Sequence, residues 1–406
     1  MTTAVKARPR WSRADRELVG LVSFSHALQH VYVAVLPLTY PLAVVEFHTS
    51  YTALGLLLGI VAAVGGFLQG GAFLYQRLAA RFVLALQNLL MAATAVMIAV
   101  APNFAVFGTG RFLGAVVSSP QHPVGNAVLA RAFPERSGTV LSWHTTGGNV
   151  GTLVVPLIAS LLIARWGWRT AVLAAAIPIA VGGLLVWARM REPAPERRPQ
   201  VAGEGSASVG RVLRTRAAAV VLVASTIAAG GRGLGVVNGY VPAYLSSGLH
   251  LNQLLVGVIF TVVLAGSVAG PVASGIVADR VGRRLVVVIT YVLGGAALAA
   301  FGMSGTNLAL LLLFGLLVGV FAYAESPLLQ ALWADATRGA PQQAAFGAYF
   351  AISYGAGSAW IAILGWTIDH LGFTATFWIM GASFLVATAV LTLAPRRLSG
   401  ATPAPA

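Results

Sequence analysis

Apolar runs of membrane-crossing length recur along the whole chain, and no other feature limits its fold so strongly. A helix that crosses lipid needs about 20 apolar residues. Stretches of this kind alternate with short polar loops from residue 18 to residue 394. Within hydrocarbon every backbone amide must be satisfied inside the protein, so such a chain forms helices or a closed barrel. Continuous apolar runs argue against the short alternating strands of a barrel. Of the 406 residues, 58% are hydrophobic and only 9% charged, against about 25% charged in soluble domains. The fold class expected is therefore an all-α polytopic membrane protein.

Twelve transmembrane helices are predicted, arranged as two six-helix bundles. The first six span 18–46, 52–74, 82–100, 104–130, 138–164 and 168–188. The second six span 217–245, 253–277, 285–303, 307–333, 343–368 and 373–394. The bundles are thus 18–190 and 217–394, joined by a linker at 191–216. That linker (REPAPERRPQVAGEGSASVGRVLRTR) is rich in Pro, Gly, Ser and charge, a composition that neither spans nor packs. Residues 1–17 and 395–406 read as tails. The basic start MTTAVKARPRWSRADRE looks like the head of a secretory signal, but the apolar run behind it is too long and lacks a small-x-small cleavage site.

The net charge of +15 raises the question of a nucleic-acid partner. Its placement argues against one. All Lys and Arg residues except Arg111, Arg165, Arg169 and Arg232 fall at helix ends, tails and linker on a single face. The positive-inside rule makes that face cytoplasmic, with both termini on it, in a cell membrane. The excess charge sets topology and suits contact with anionic lipid. The absence of cysteine excludes disulfides and thiolate metal sites.

The halves also resemble each other. The fourth helix reads FGTGRFLGAVVSSPQHPVGNAVLARAF and the tenth FGLLVGVFAYAESPLLQALWADA. Both open on Phe-Gly and reach a polar-plus-proline step. Aligned on Pro123 and Pro327, Gln121 corresponds to Glu325 and His122 to Ser326. An internal repeat of six helices around a long linker is a transporter plan.

Residues 275–284 read GIVADRVGRR, a match to the G-x-x-x-D-R-x-G-R-R loop of the major facilitator superfamily, which the whole chain resembles. In that loop Gly275 and Gly282 suit close helix contact and a tight turn. Asp279, with Arg280, Arg283 and Arg284 nearby, suits a gate latch that pairs with arginine or a helix N-terminus. The equivalent loop of the first half, AFLYQRLAAR, departs from the pattern, with Gln76 where Asp is expected and Ala79 where Gly is expected. The fourth-helix pattern of Arg followed by Gly is met by Arg111 and Gly114. TTGGNVGTLVVP matches the exporters' fifth helix only loosely, since Pro156 lacks its Gly partner. SFSHALQHVYVAVLPLTYPL and QHPVGNAVLARAFPERSG are similar to the fosmidomycin-resistance-like efflux branch.

Ionisable groups inside a bundle are expensive and mark function by default. Those of this chain concentrate on helices 1, 4, 7 and 10, which the resemblance implies line a cavity: His26, His30, Arg111, Gln121, His122, Arg232, Asn238 and Glu325, with His144 on helix 5. At about 1.5 Å per residue, His26, His122, His144 and Glu325 are expected in one layer near Arg232. Glu325, His122 and His26 are the proton-coupling candidates. The alternatives are a structural ion pair at Glu325 and histidines bonded to neighbouring helices. Arg232, flanked by glycines in AAGGRGLG, either pairs with Glu325 or holds an anionic group. Trp143, Trp360, Tyr349 and Tyr354 are candidate aromatic walls. Two histidines at i, i+4 are too few ligands for a metal, so neither a metal nor a cofactor is expected.

The reading that results is a monomeric secondary active transporter exporting a small amphipathic or anionic organic compound in exchange for protons. Its alternative is a proton-coupled uptake symporter or a uniporter for an organic anion. No Ser-His-Asp spacing or phosphate loop favours an enzyme.

Overall fold

The computed structural model describes residues 11–69, 78–192, 215–338, 340 and 342–393, and these contain helices and no strand. The first half comprises α1 (Arg13–Glu46), α2 (Tyr51–Gln69), α3 (Ala80–Ala99), α4 (Phe104–Ser118 continued by Gln121–Ala132), α5 (137–166) and α6 (168–189). The second comprises α7 (216–248), α8 (Gln253–Val281), α9 (Arg283–Met303), α10 (Leu308–Ala336), α11 (342–371) and α12 (373–392). Helix runs continuously from α5 into α6 and from α11 into α12 except at Gly167 (φ 83°) and Gly372 (φ 81°). A left-handed backbone suits glycine, and each of these glycines divides a stretch long enough for two crossings.

The helix ends have local causes. α1 begins at Arg13, ahead of the expected residue 18, because Ser12 and Asp15 form a capping box that satisfies the first free amides. Glu192, at the start of the linker, accepts from the amides of Ala80 (2.9 Å) and Arg81 (2.8 Å) and so caps α3. Gly282 (φ 98°) makes the turn between α8 and α9. Gln76, residues 1–10, the C-terminal tail and most of the linker lie outside the described residues, while 11–17, expected as tail, hold the cap and the start of α1.

Large apolar side chains stand on the outward faces, among them Ile177, Leu184, Trp187, Val272, Leu313 and Val386. An exposed apolar belt of this extent suits a protein solvated by lipid. Trp143, expected as a cavity wall, is 66% exposed.

The two halves are fastened together on the face opposite the termini. Asp369, near the end of α11, accepts from the amides of Tyr51 (3.1 Å) and Thr52 (2.7 Å) and from the Thr52 hydroxyl (2.6 Å), capping α2 of the other half. Beside it Tyr51 donates to Ser247 Oγ (2.8 Å). α2 meets α11 where Gly55 and Gly59 allow backbone approach to Ile361 and Ser358. On the terminal face Arg283 pairs with Asp335 of its own half (2.8 Å), and Arg284 donates to the carbonyl of Leu391 (2.9 Å). Asp279 is exposed, with no hydrogen bond or ion pair among the described residues. Gly275 has open space where a Cβ would stand. Among the described residues, then, neither the close helix contact expected at Gly275 nor a latch partner for Asp279 is present, and residues 70–77, in the equivalent loop of the first half, lie outside them.

Candidate functional site

A cavity of about 220 Å³ lies between the halves. The first half contributes His30, Val33 and Pro37 from α1 with Asn149 and Thr152 from α5; the second contributes Leu234 and Asn238 from α7, Phe260 and Ser267 from α8, and Tyr323 from α10. Tyr323 donates to Asn238 Oδ1 across its wall. A larger depression of about 510 Å³ sits on the second half alone, around Tyr244, Phe373 and Trp378, remote from the buried charges.

Beside the cavity, α7 loses its helical path. Gly230 and Gly231 end the first helical piece, Arg232 is extended (φ −61°, ψ 135°), and Gly235 is left-handed (φ 94°). Gly233 lies flat on the Tyr323 ring, where any Cβ would collide. This break turns Arg232 toward α10. Its Nε donates to Glu325 Oε2 (3.0 Å), and one terminal nitrogen reaches Glu325 Oε1 (3.0 Å), the Ser225 carbonyl (3.0 Å) and Ser225 Oγ (3.1 Å). The guanidinium stacks 4.5 Å over the Tyr354 ring. Both partners are sealed, at 4% and 0% exposure. Two-pronged geometry with further hydrogen bonds is what allows such a pair to exist away from water. Ser225 Oγ continues the network to Tyr349 (3.0 Å) and Ser353. Tyr349 and Tyr354 therefore border the ion pair, whereas Trp360 donates to the Thr226 carbonyl.

The first half gathers histidines. His26 stacks on His144 (ring centroids 4.2 Å apart) and meets His30 (4.6 Å) and His122 (4.8 Å) edge-on. Three helices supply them. α4 contributes through its own interruption at Ser119-Pro120, where the piece ending at Ser118 gives way to one starting at Gln121. Among the described residues no hydrogen bond, ion pair or ring contact joins these histidines to Arg232 or Glu325. The residues expected at one depth thus form two separate clusters, the histidines in the first half and the Arg232–Glu325 pair in the second.

Of the expected cavity residues, His30 and Asn238 line the cavity between the halves; His26, His122, His144, Arg232 and Glu325 stand in the two clusters, and Gln121 and Arg111 in neither. Gln121 is fully buried in a polar knot, its Oε1 accepting from Ser25 (2.9 Å) and Gln87 (2.8 Å), with Asn88 behind Ser25 (3.0 Å). It is packed against α3, which a single-helix count could not show. Arg111 is half-buried and donates to the Tyr40 hydroxyl (3.0 Å), below Gly114, whose missing Cβ makes room for Tyr32. Tyr323, Thr152 and the α8 residues were not legible as cavity residues. Tyr323 carried a signal, standing two positions before Glu325, but α8 holds no ionisable group before Asp279 to single out a cavity face.

Two pseudo-equivalent bundles, a cavity shared between them and charges sealed beside it define a multi-pass membrane carrier. The chain belongs to the Major Facilitator Superfamily, whose model matches residues 22–236 and again 221–405; it is accordingly a secondary transporter. The fosmidomycin resistance protein of Escherichia coli is 23% identical over 393 residues, 94% of this chain and 93% of that protein. The cis,cis-muconate transport protein of Acinetobacter baylyi is 26% identical over 304 residues, 70% of each. In fold the chain is similar to the nucleoside transporter NupG (TM-score 0.77, 12% identity, 94% of this chain and 99% of that one). It is also similar to a D-xylose-proton symporter (TM-score 0.72, 18% identity, 95% and 99%).

Proposed function

We propose that this transporter moves a small amphipathic or anionic organic compound by alternating access, coupled to protons, with export as its direction and both termini in the cytoplasm. The observation that carries the coupling is Glu325, a fully buried acid held by Arg232 beside the central cavity. Protonation of Glu325 releases Arg232, and deprotonation restores the pair, so one proton switches the local charge that a substrate meets. Tyr291 and Tyr349 face the same carboxylate. Arg111 adds a second intramembrane cation whose hydrogen-bond partner is a tyrosine rather than an acid. The relative that spans nearly the whole chain bears the name of drug resistance, which favours export.

A second direction has its own support. Because protonating Glu325 frees a cation, a proton and an anion load together, which is symport and uptake. The muconate transport relative, whose named compound is a carboxylate, fits this reading.

Purified protein in liposomes under an imposed pH gradient distinguishes the two, with fosmidomycin and cis,cis-muconate as probes. Export by exchange drives the compound against the proton flow; symport drives it along. Glu325→Gln is expected to abolish gradient-driven accumulation while leaving exchange of labelled for unlabelled compound. Accumulation by Glu325→Gln at the wild-type level removes Glu325 from the coupling.

A further inference from the structure

The tautomers of the histidine cluster are fixed by its neighbours, with a consequence for what it holds. His26 Nδ1 lies 2.7 Å from the backbone carbonyl of His144, and a carbonyl only accepts, so this nitrogen carries the hydrogen. His30 Nδ1 lies 2.6 Å from Thr152 Oγ1, whose own hydrogen goes to the Gly148 carbonyl (3.1 Å), so here too Nδ1 donates. In each neutral ring Nε2 is then left with a bare lone pair. These two Nε2 atoms face each other at 3.1 Å. Lone pairs at that distance repel unless a cation lies between or beside them.

The rest of the cluster favours a cation larger than a proton. His122 brings a third imidazole, and one ring nitrogen from each of His26, His30 and His122 lies within 4.8 Å of the others. Both ring nitrogens of His144 are buried without a hydrogen-bond partner. Gly148 keeps the space open: a Cβ there would stand 2.7 Å from His26 Cε1 and 2.9 Å from His30 Nε2. The described residues in contact with these rings include no carboxylate, so the donor set is wholly imidazole, which suits zinc, copper or nickel and disfavours magnesium or calcium. A tetrahedral zinc with nitrogens at roughly 2.0–2.1 Å holds neighbouring ligands roughly 3.3 Å apart, close to the observed Nε2 separation. The contacts at Nδ1 are those of second-shell partners that orient metal-binding histidines.

We propose that His26, His30 and His122 form a binding site for a divalent transition-metal ion of the zinc class, inside the first half-bundle and reached from the central cavity through His30. His144 supports it, its carbonyl orienting His26 and its ring covering the site. The proposal is independent of the direction and substrate of transport, since binding is read without flux.

The test uses the full chain in lipid nanodiscs, freed of any polyhistidine tag and stripped with chelator. Zinc titration is expected to saturate at one ion per chain, and cobalt to give the visible absorption of a tetrahedral nitrogen site. His30→Gln and His122→Gln are expected to weaken zinc binding by about tenfold or more, and Thr152→Val, which removes only the tautomer-fixing acceptor, by about tenfold. Size-exclusion profile and unfolding temperature confirm that each variant is folded. The proposal is overturned if the wild type binds no zinc, or if the variants bind it as the wild type does. A cluster that shares only a proton gives the first of these results, with a strongly deshielded imidazole proton by NMR.

Discussion

Corresponding helices of the two halves carry opposite kinds of polar cluster. In the first half α1, α4 and α5 bring His26, His30, His122 and His144 together with no acid among the hydrogen bonds and ring contacts they make. In the second, α7, α10 and α11 bring Arg232, Glu325, Tyr349 and Tyr354 into a network in which the charges cancel and the guanidinium is bonded on several sides. His144 and Tyr349 even occupy the same place, the eighth residue of their helices. The two halves thus share the places where helices can present polar groups, not the chemistry put there. One cluster is complete as it stands; the other has nitrogen lone pairs without a hydrogen to meet them.

The widest gap between them is expected in stability. Removing one partner of a buried ion pair strands the other charge, at about 3–5 kcal/mol, so Glu325→Ala should sharply lower the unfolding temperature of the purified protein. The paired change Arg232→Met with Glu325→Leu removes both charges and should recover most of that loss while gradient-driven accumulation stays abolished. An equally severe loss in the double variant would contradict the ion-pair account. On the histidine side, Gly148→Val pushes a side chain against His26 and His30, and overpacking of this kind costs about 1–3 kcal/mol. Its unfolding temperature should fall less than that of Glu325→Ala, and zinc binding should be lost.

The join between the halves gives a smaller effect. Asp369→Ala uncaps α2 and should cost about 0.5–2 kcal/mol, all of it on the closed face. Because the chain has no cysteine, Ser247→Cys is a clean reporter, and its thiol should be labelled faster when Asp369 is replaced. Unchanged labelling would mean that this face is held shut by apolar packing alone. Smallest of all, Arg283→Ala removes an arginine whose side chain is 35% exposed and leaves Asp335 paired with Arg338 (2.7 Å). Exposed pairs contribute about 0–1 kcal/mol, so the unfolding temperature should barely move, in contrast to the sealed pair on the same half.

Much of this architecture is written along the chain. Apolar length marks the crossings, and turn glycines and capping residues mark their ends to within a few residues, as at α8 and α9; the capping box that starts α1 early was also there to be read in Ser12 and Asp15. The cost of burying charge singles out Arg232 and Glu325 wherever they fold, since each needs a counter-ion in lipid. What the tertiary structure alone decided is which groups meet across helices. Spacing along α1 shows that His26 and His30 share a face, but not that His122 and His144 turn toward them, nor that Gln121, one residue before His122, turns away into Ser25 and Gln87. Those directions depend on helix rotation and on the interruption at Pro120, both set by packing against neighbours, and a linear count of residues contains neither.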